Sequence, residues 1–196
     1  LHGLPFQRLS HPSYREATPA LGMVQFSVAS HRGCAGGCSF CALALHQGRR
    51  ISSRSRDSIL TEVKSMTSHR DWRGSLTNIG AATANMWGAK CAGNQAACRR
   101  ESCLWPEICR NFIADQKAIA GLMRSAARLP GVKHVRTASG VRHDLAMTDD
   151  AYMDALVGDF TGGQLTVAPE HRSDKVLRLM RKPPFEAFEK FRHAFE

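Results

Sequence analysis

His31-Arg32-Gly33-Cys34-Ala35-Gly36-Gly37-Cys38-Ser39-Phe40-Cys41 places three thiols at Cys-x3-Cys-x2-Cys spacing between a β-type run and a helical pattern. Three ligands from one loop hold three irons of a 4Fe-4S cluster and leave the fourth open. An open iron can carry a ligand on the metal, whereas a fully ligated cluster only transfers electrons. Gly33, Gly36 and Gly37 let the loop fold tightly in conformations a Cβ would oppose, and their N–H groups can donate to cluster sulfurs. Structural zinc usually takes four ligands as paired Cys-x2-Cys knuckles, so spacing and context favour the cluster.

Outward from this loop, short β-type runs alternate with helical patterns, the signature of βα units around a parallel sheet. Strands are expected over 24–29, 76–80, 134–138 and 165–168. Asp57 or Ser58 is the expected cap of a helix whose Ile59, Leu60, Val63 and Met66 share one face. Ile119, Leu122, Met123 and Ala126 mark a second helix over 115–129, stopped by Pro130-Gly131. Another spans 148–157, and one capped by Ser173 ends before Pro183-Pro184. The last helix carries Phe185, Phe188, Phe191 and Phe195 on one side, read as a core stripe. Four such units do not close a barrel, and the strand-loop-helix order puts the cysteine loop at the C-terminal, catalytic edge of one.

Between the second strand and the next helix lies a polar stretch, 85–111, too long to be a plain connection. Its Cys91-x6-Cys98-x4-Cys103-x5-Cys109 supplies four thiols, enough for a zinc ion or a second iron–sulfur cluster. The spacing leaves both open, along with unliganded cysteines in a redox role. Arg99, Arg100 and Arg110 would compensate a thiolate-rich centre there.

Composition adds limits. With 43% hydrophobic and 22% charged residues the chain has the make-up of a globular protein. No apolar run approaches the ~20 residues of a membrane span, no signal peptide is visible, and clustered thiols fit a cytoplasmic metal protein better than a disulfide scaffold. A formal charge of +10 is compatible with anionic partners, nucleic acid among them, though a solvated basic surface is the simpler reading. The chain opens on Leu1 and its last helix has nothing after it to pack against, so we expect a fragment of a longer protein.

The loop Cys34-x3-Cys38-x-Phe40-Cys41 resembles the motif of radical S-adenosyl-L-methionine (SAM) enzymes. HRGCAGGCSFCALALHQGRRISSRS, TANMWGAKC, CRRESCLWPEIC, ASGVRHD and VAPEH are similar to the YgiQ-type branch, across most of the chain. The resemblance implies a partial (β/α)6 TIM-like barrel, α/β in class, present here as about its first four βα units. Residues 21–84 would form the cluster-binding units, 85–112 the Cys-rich insertion, and 113–196 the third and fourth units with the start of the next helix.

It further implies that Cys34, Cys38 and Cys41 bind a 4Fe-4S cluster and that Phe40 lies near the adenine of SAM. Relatives carry Gly-Gly-Pro-Thr-Ala-Asn where this chain has Gly80-Ala81-Ala82-Thr83-Ala84-Asn85, so Ala81 and Ala82 occupy the element that receives the SAM amino group. Arg142 would hold the SAM carboxylate by a paired hydrogen bond and Glu170 would accept from the ribose hydroxyls, with Asp144 and His171 beside them. An electron donor such as flavodoxin or ferredoxin would complete the system, with reductive SAM cleavage and hydrogen abstraction from an unidentified substrate as the activity. The alternatives are a zinc-stapled, basic nucleic-acid-binding module and a truncated, non-catalytic remnant.

Overall fold

The computed structural model describes residues 2–16 and 18–196. A helical turn, α1 (Leu21–Val24), takes the start of the expected first strand, and β1 runs Ser27–Ala29. β2 (His31–Arg32) leads into the cysteine loop and α2 (Leu43–His46), and β3 (Ser52–Ser53) returns antiparallel to β2. The cysteine loop is thereby closed at its base.

α3 (Arg56–Met66) buries Ile59, Val63 and Met66. Its cap is Ser55, whose side chain accepts from the Ser58 N–H at 3.2 Å, in place of the expected Asp57 or Ser58. Asp57 instead falls in the first turn, where a carboxylate favours the helix dipole. The second strand is split into β4 (Ser75–Leu76) and β5 (Asn78–Gly80), and between them the Thr77 N–H donates to the Phe26 carbonyl at 2.9 Å, beside the strand that follows it. β6 (Lys90–Cys91) and β7 (Phe112–Ile113) pair antiparallel and close the base of the insertion.

α4 (Gln116–Ala127) is capped by Asp115 and buries Ile119, Leu122, Met123 and Ala126, as its periodicity requires. β8 keeps only His134–Val135 of the expected 134–138. Beyond it the ladder donors are diverted: the Thr137 N–H to the Phe160 carbonyl, those of Ala138 and Ser139 to Asn78 Oδ1. α5 (His143–Ala146) precedes α6 (Asp150–Ala155), which Asp149 caps and a π-turn, Leu156–Phe160, extends. The expected fourth strand is reduced to one parallel bridge, Val141 with Val167. Gly162-Gly163 before it and Pro169 after it leave little regular backbone to extend a ladder. α7 (Asp174–Met180) has Ser173 at its N-cap without a side-chain capping bond, and α8 (Phe185–Phe195) ends the chain.

The architecture is mixed α/β with small sheets and, among the described residues, no closed barrel. β1 pairs parallel with β5, β4 with β8, and Val141 with Val167, so the parallel contacts advance in chain order. α3, α4 and α6 pack their apolar faces on these strands, joined by Phe191 of α8, and each fully buried aliphatic or aromatic side chain contributes about 1.5–3 kcal/mol. Of the phenylalanine stripe only Phe191 is buried. A second apolar cluster, Ala35, Met86, Ala89, Leu104 and Leu145, has Cys34, Cys103 and Phe112 packed against it. It lies between the cysteine loop and the insertion. No helix of the described residues is long and apolar enough to cross a membrane.

Candidate metal centre

The loop from Gly33 to Cys41 takes its shape from two glycines in left-handed backbone. Gly33 (φ +98°) turns beneath the Arg50 carbonyl, Gly37 (φ +59°) beneath the Glu101 carbonyl, and a Cβ at either would drive into that oxygen. Gly36 differs. A Cβ built there would stand 3.4 Å from Cys34 Sγ, 3.6 Å from Cys38 Sγ and 3.4 Å from an Arg142 guanidinium nitrogen. The two sulfurs therefore flank one glycine whose missing side chain leaves the space between them clear. Cys34 Sγ also lies 3.8 Å from Thr83 Oγ1, and the Cys41 N–H donates to the Cys38 carbonyl at 3.2 Å.

Two cations act on this site. Burial pushes the Cys38 thiol up, while Arg142 and Lys182 pull toward its thiolate and Cys34 and Cys41 oppose them. Arg142 Nη1 reaches Cys38 Sγ at 3.9 Å. Its Nε and Nη2, the paired donors expected to meet a SAM carboxylate, are engaged by Asp144 at 2.8 and 2.5 Å. Burial works against both charges, yet the paired hydrogen bonds and mutual attraction outweigh it, raising the guanidinium pKa and lowering the carboxyl. Asn85 fixes this pair from behind: its Oδ1 accepts from the Arg142 N–H at 2.9 Å and its Nδ2 donates to the Arg142 carbonyl at 3.0 Å.

Glu170, in left-handed backbone (φ 71°), pairs with Lys182 Nζ at 3.4 Å. Phe40 presents a ring that is 52% exposed beside Cys41. Ala81 and Ala82 line a cavity of about 630 Å³ with His31, Arg32, Gln47 and Arg54. His31 is buried, bonded through Nδ1 to Ser30 Oγ at 2.9 Å, with Nε2 unpartnered and a pKa lowered to about 4 by burial.

In the insertion, Cys91 pairs across the ladder with Phe112, whose N–H donates to the Cys109 carbonyl, and the Cys109 N–H donates to the Cys103 carbonyl, both at 2.8 Å. Cys91 and Cys103 line one cavity of about 440 Å³ with Arg49 and Arg50. Burial raises the Cys103 thiol pKa, Arg49 opposes this, and Cys109, Cys91 and Cys98 add to it. Cys98 is exposed. Arg100, expected to compensate thiolates, donates instead to the carbonyls of Ser102, Trp105 and Glu107 and so shapes the loop. Among the described residues no three His, Cys, Asp or Glu side chains are gathered to hold a single metal ion.

The insertion and the first loop are one assembly. The Cys103 N–H donates to the Ala35 carbonyl at 3.0 Å, and the buried Ser102 hydroxyl to the Gly36 carbonyl at 2.5 Å. Sequence reasoning did not single out Ser102, Thr83 or Lys182. Lys182 stands before Pro183-Pro184, where only the helix stop is legible, and its inward course depends on contacts far along the chain.

No protein-family model matches the chain. It is similar to curated proteins named UPF0313 protein: 46% identical over 197 residues to one from Methanosarcina mazei, 46% over 197 to one from Geobacter sulfurreducens, and 41% over 203 to one from Thermotoga petrophila. Each match takes in the whole of this chain but 32%, 33% and 35% of the relative. The chain thus spans about a third of the length of the curated relatives it matches, and their name states no activity.

Proposed function

We propose that this chain is the cluster-binding part of a radical SAM enzyme of the YgiQ type, folded as the first units of a partial (β/α)6 barrel. The carrying observation is the grouping of Cys34 and Cys38 about Gly36, with Cys41 one turn on and a guanidinium nitrogen at the sulfurs. Three thiols on one loop, a cleared space between two of them and cationic donors at their edge suit a 4Fe-4S cluster. When bound, the cluster and SAM supply the one-electron cleavage that yields a 5′-deoxyadenosyl radical.

The chain's own residues bind, orient and compensate charge. Cys34, Cys38 and Cys41 are the iron ligands, and the Arg142 Nη1–H donates toward Cys38 Sγ, which stabilises thiolate. Asp144 and Asn85 hold Arg142 in that pose. Ala81 and Ala82 offer backbone groups at the edge of the cavity that His31 shares, and Phe40 has an exposed face for a planar base. Glu170, whose Oε1 meets Lys182 at 3.4 Å, has its second oxygen left to accept from ribose hydroxyls. Cys91, Cys98, Cys103 and Cys109 would be the ligands of a second centre, zinc or an auxiliary cluster, drawn together only on binding it, and a small acidic electron-transfer protein such as flavodoxin or ferredoxin is the reductant. The test is anaerobic reconstitution with iron and sulfide followed by EPR with and without SAM. A SAM-dependent change in the spectrum of the reduced cluster supports the reading. A spectrum indifferent to SAM contradicts it.

A further inference from the structure

α7 ends at Arg181 in left-handed backbone (φ 57°), and this turn lays the chain across the cysteine loop. Ser39 is held at both ends, its N–H donating to the Met180 carbonyl at 3.2 Å and its hydroxyl to the Leu179 carbonyl at 2.6 Å. Arg181 pairs with Glu101 of the insertion and reaches the Gly37 carbonyl at 3.5 Å. The next residue, Lys182, follows directly on the contact with Gly37, the neighbour of Cys38, and is carried inward until its side chain is only 4% exposed.

The two cations at the thiols are not equivalent. Arg142 is matched by Asp144 through two short hydrogen bonds, and both side chains are about equally buried, so the pair presents little net charge. Lys182 meets Glu170 by one contact of 3.4 Å, beyond the ~2.7–2.9 Å of a strong charge-assisted bond. The Glu170 side chain is 29% exposed, so water screens it more than the ammonium it faces. Lys182 is the less compensated positive charge at the site.

We propose that Lys182 sets the reduction potential of the cluster bound by Cys34, Cys38 and Cys41, acting as a positioned charge and not as a ligand; this rests on the function proposed above. Reduction adds one electron to a thiolate-ligated, net negative centre, and a nearby buried cation stabilises the reduced form. Removing the cation must lower the potential. Removing its counter-charge must raise it.

An EPR-monitored dithionite titration of the anaerobically reconstituted chain reads this directly. Lys182→Met is expected to shift the midpoint to more negative values, Glu170→Gln to more positive values, and Lys182→Arg to leave it near wild type. Lys175→Met, on the exposed face of α7, is the control. Nonspecific loosening of the loop would move both variants the same way, so shifts of one sign, or none beyond the control, overturn the proposal. Should Lys182→Met not take up a cluster, Glu170→Gln alone decides, and absence of a positive shift overturns it. A wild-type chain that takes up no cluster defeats the function itself, and the proposal with it.

Discussion

The backbone N–H of Cys103 donates to the carbonyl of Ala35 at 3.0 Å, so a thiol of the insertion and a residue between two thiols of the first loop share one hydrogen bond. Sequence spacing suggests two independent sites. The fold joins them: Ser102 bonds Gly36, Glu101 closes over Gly37, and Cys34 and Cys103 pack on the same apolar cluster. Loosening the insertion therefore loosens the loop.

Ser102→Ala tests that coupling. The buried hydroxyl donates to the Gly36 carbonyl and accepts from the Leu104 N–H at 3.0 Å, and its loss leaves both unpaired. The expected cost is about 1–3 kcal/mol in urea unfolding of metal-free protein. Maleimide labelling of Cys34 and Cys38, followed by mass spectrometry, is expected to speed up alongside that of Cys103. Unchanged labelling at the first loop would separate the two sites.

Gly36 and Gly37 are adjacent but constrained by different things. A Cβ at Gly36 makes only ordinary contacts with the two thiols, so Gly36→Ala is expected to leave metal-free stability within about 1 kcal/mol while iron uptake at the first site falls several-fold. Gly37→Ala strains a left-handed residue against the Glu101 carbonyl, and is expected to cost upward of about 1 kcal/mol before any metal is added. Urea midpoints and iron content distinguish the two variants. Equal loss of stability in both would mean that Gly36 serves the turn and not the space between the sulfurs.

His143 is buried between the Arg142–Asp144 pair and α8, its ring edge-on to Phe188 at 5.8 Å, with Nε2 unpartnered. Burial is the leading cause of a pKa lowered to about 4; Asp144 opposes the shift, while Arg142 and Lys182 add to it. An unfolded histidine takes its proton near pH 6.5 and the folded one does not, so stability is full above that value and falls as pH drops toward 4. Between pH 7.5 and 5 this amounts to about 2 kcal/mol from His143, and His31 adds a loss in the same window. Urea unfolding of metal-free protein across that range should show it. His143→Gln should flatten the slope, and an unaltered slope would reject the assignment.

Local signals made the first loop and the long helices legible. Cys34, Cys38 and Cys41 and the glycines among them sit within eleven residues, and the faces of α3 and α4 follow from periodicity alone. Strand extents did not follow: Thr137, Ala138 and Ser139 send their N–H groups to partners outside the expected ladders, a choice made by tertiary contacts. The same limit applies at the site. Arg142 and Asp144 stand two apart, a spacing that permits their fork, but the docking of Leu179 on Ser39 and of Ser102 on Gly36 spans long stretches of chain. No local pattern encodes either.

Iron and sulfide analysis with EPR, on wild type and on the Cys34→Ala, Cys38→Ala, Cys41→Ala triple variant after identical anaerobic reconstitution, decides whether this loop holds the cluster. Wild type is expected to carry a 4Fe-4S signal that SAM perturbs, and the triple variant to lose about four irons per chain together with all response to SAM. A triple variant that keeps a SAM-responsive cluster would contradict that assignment.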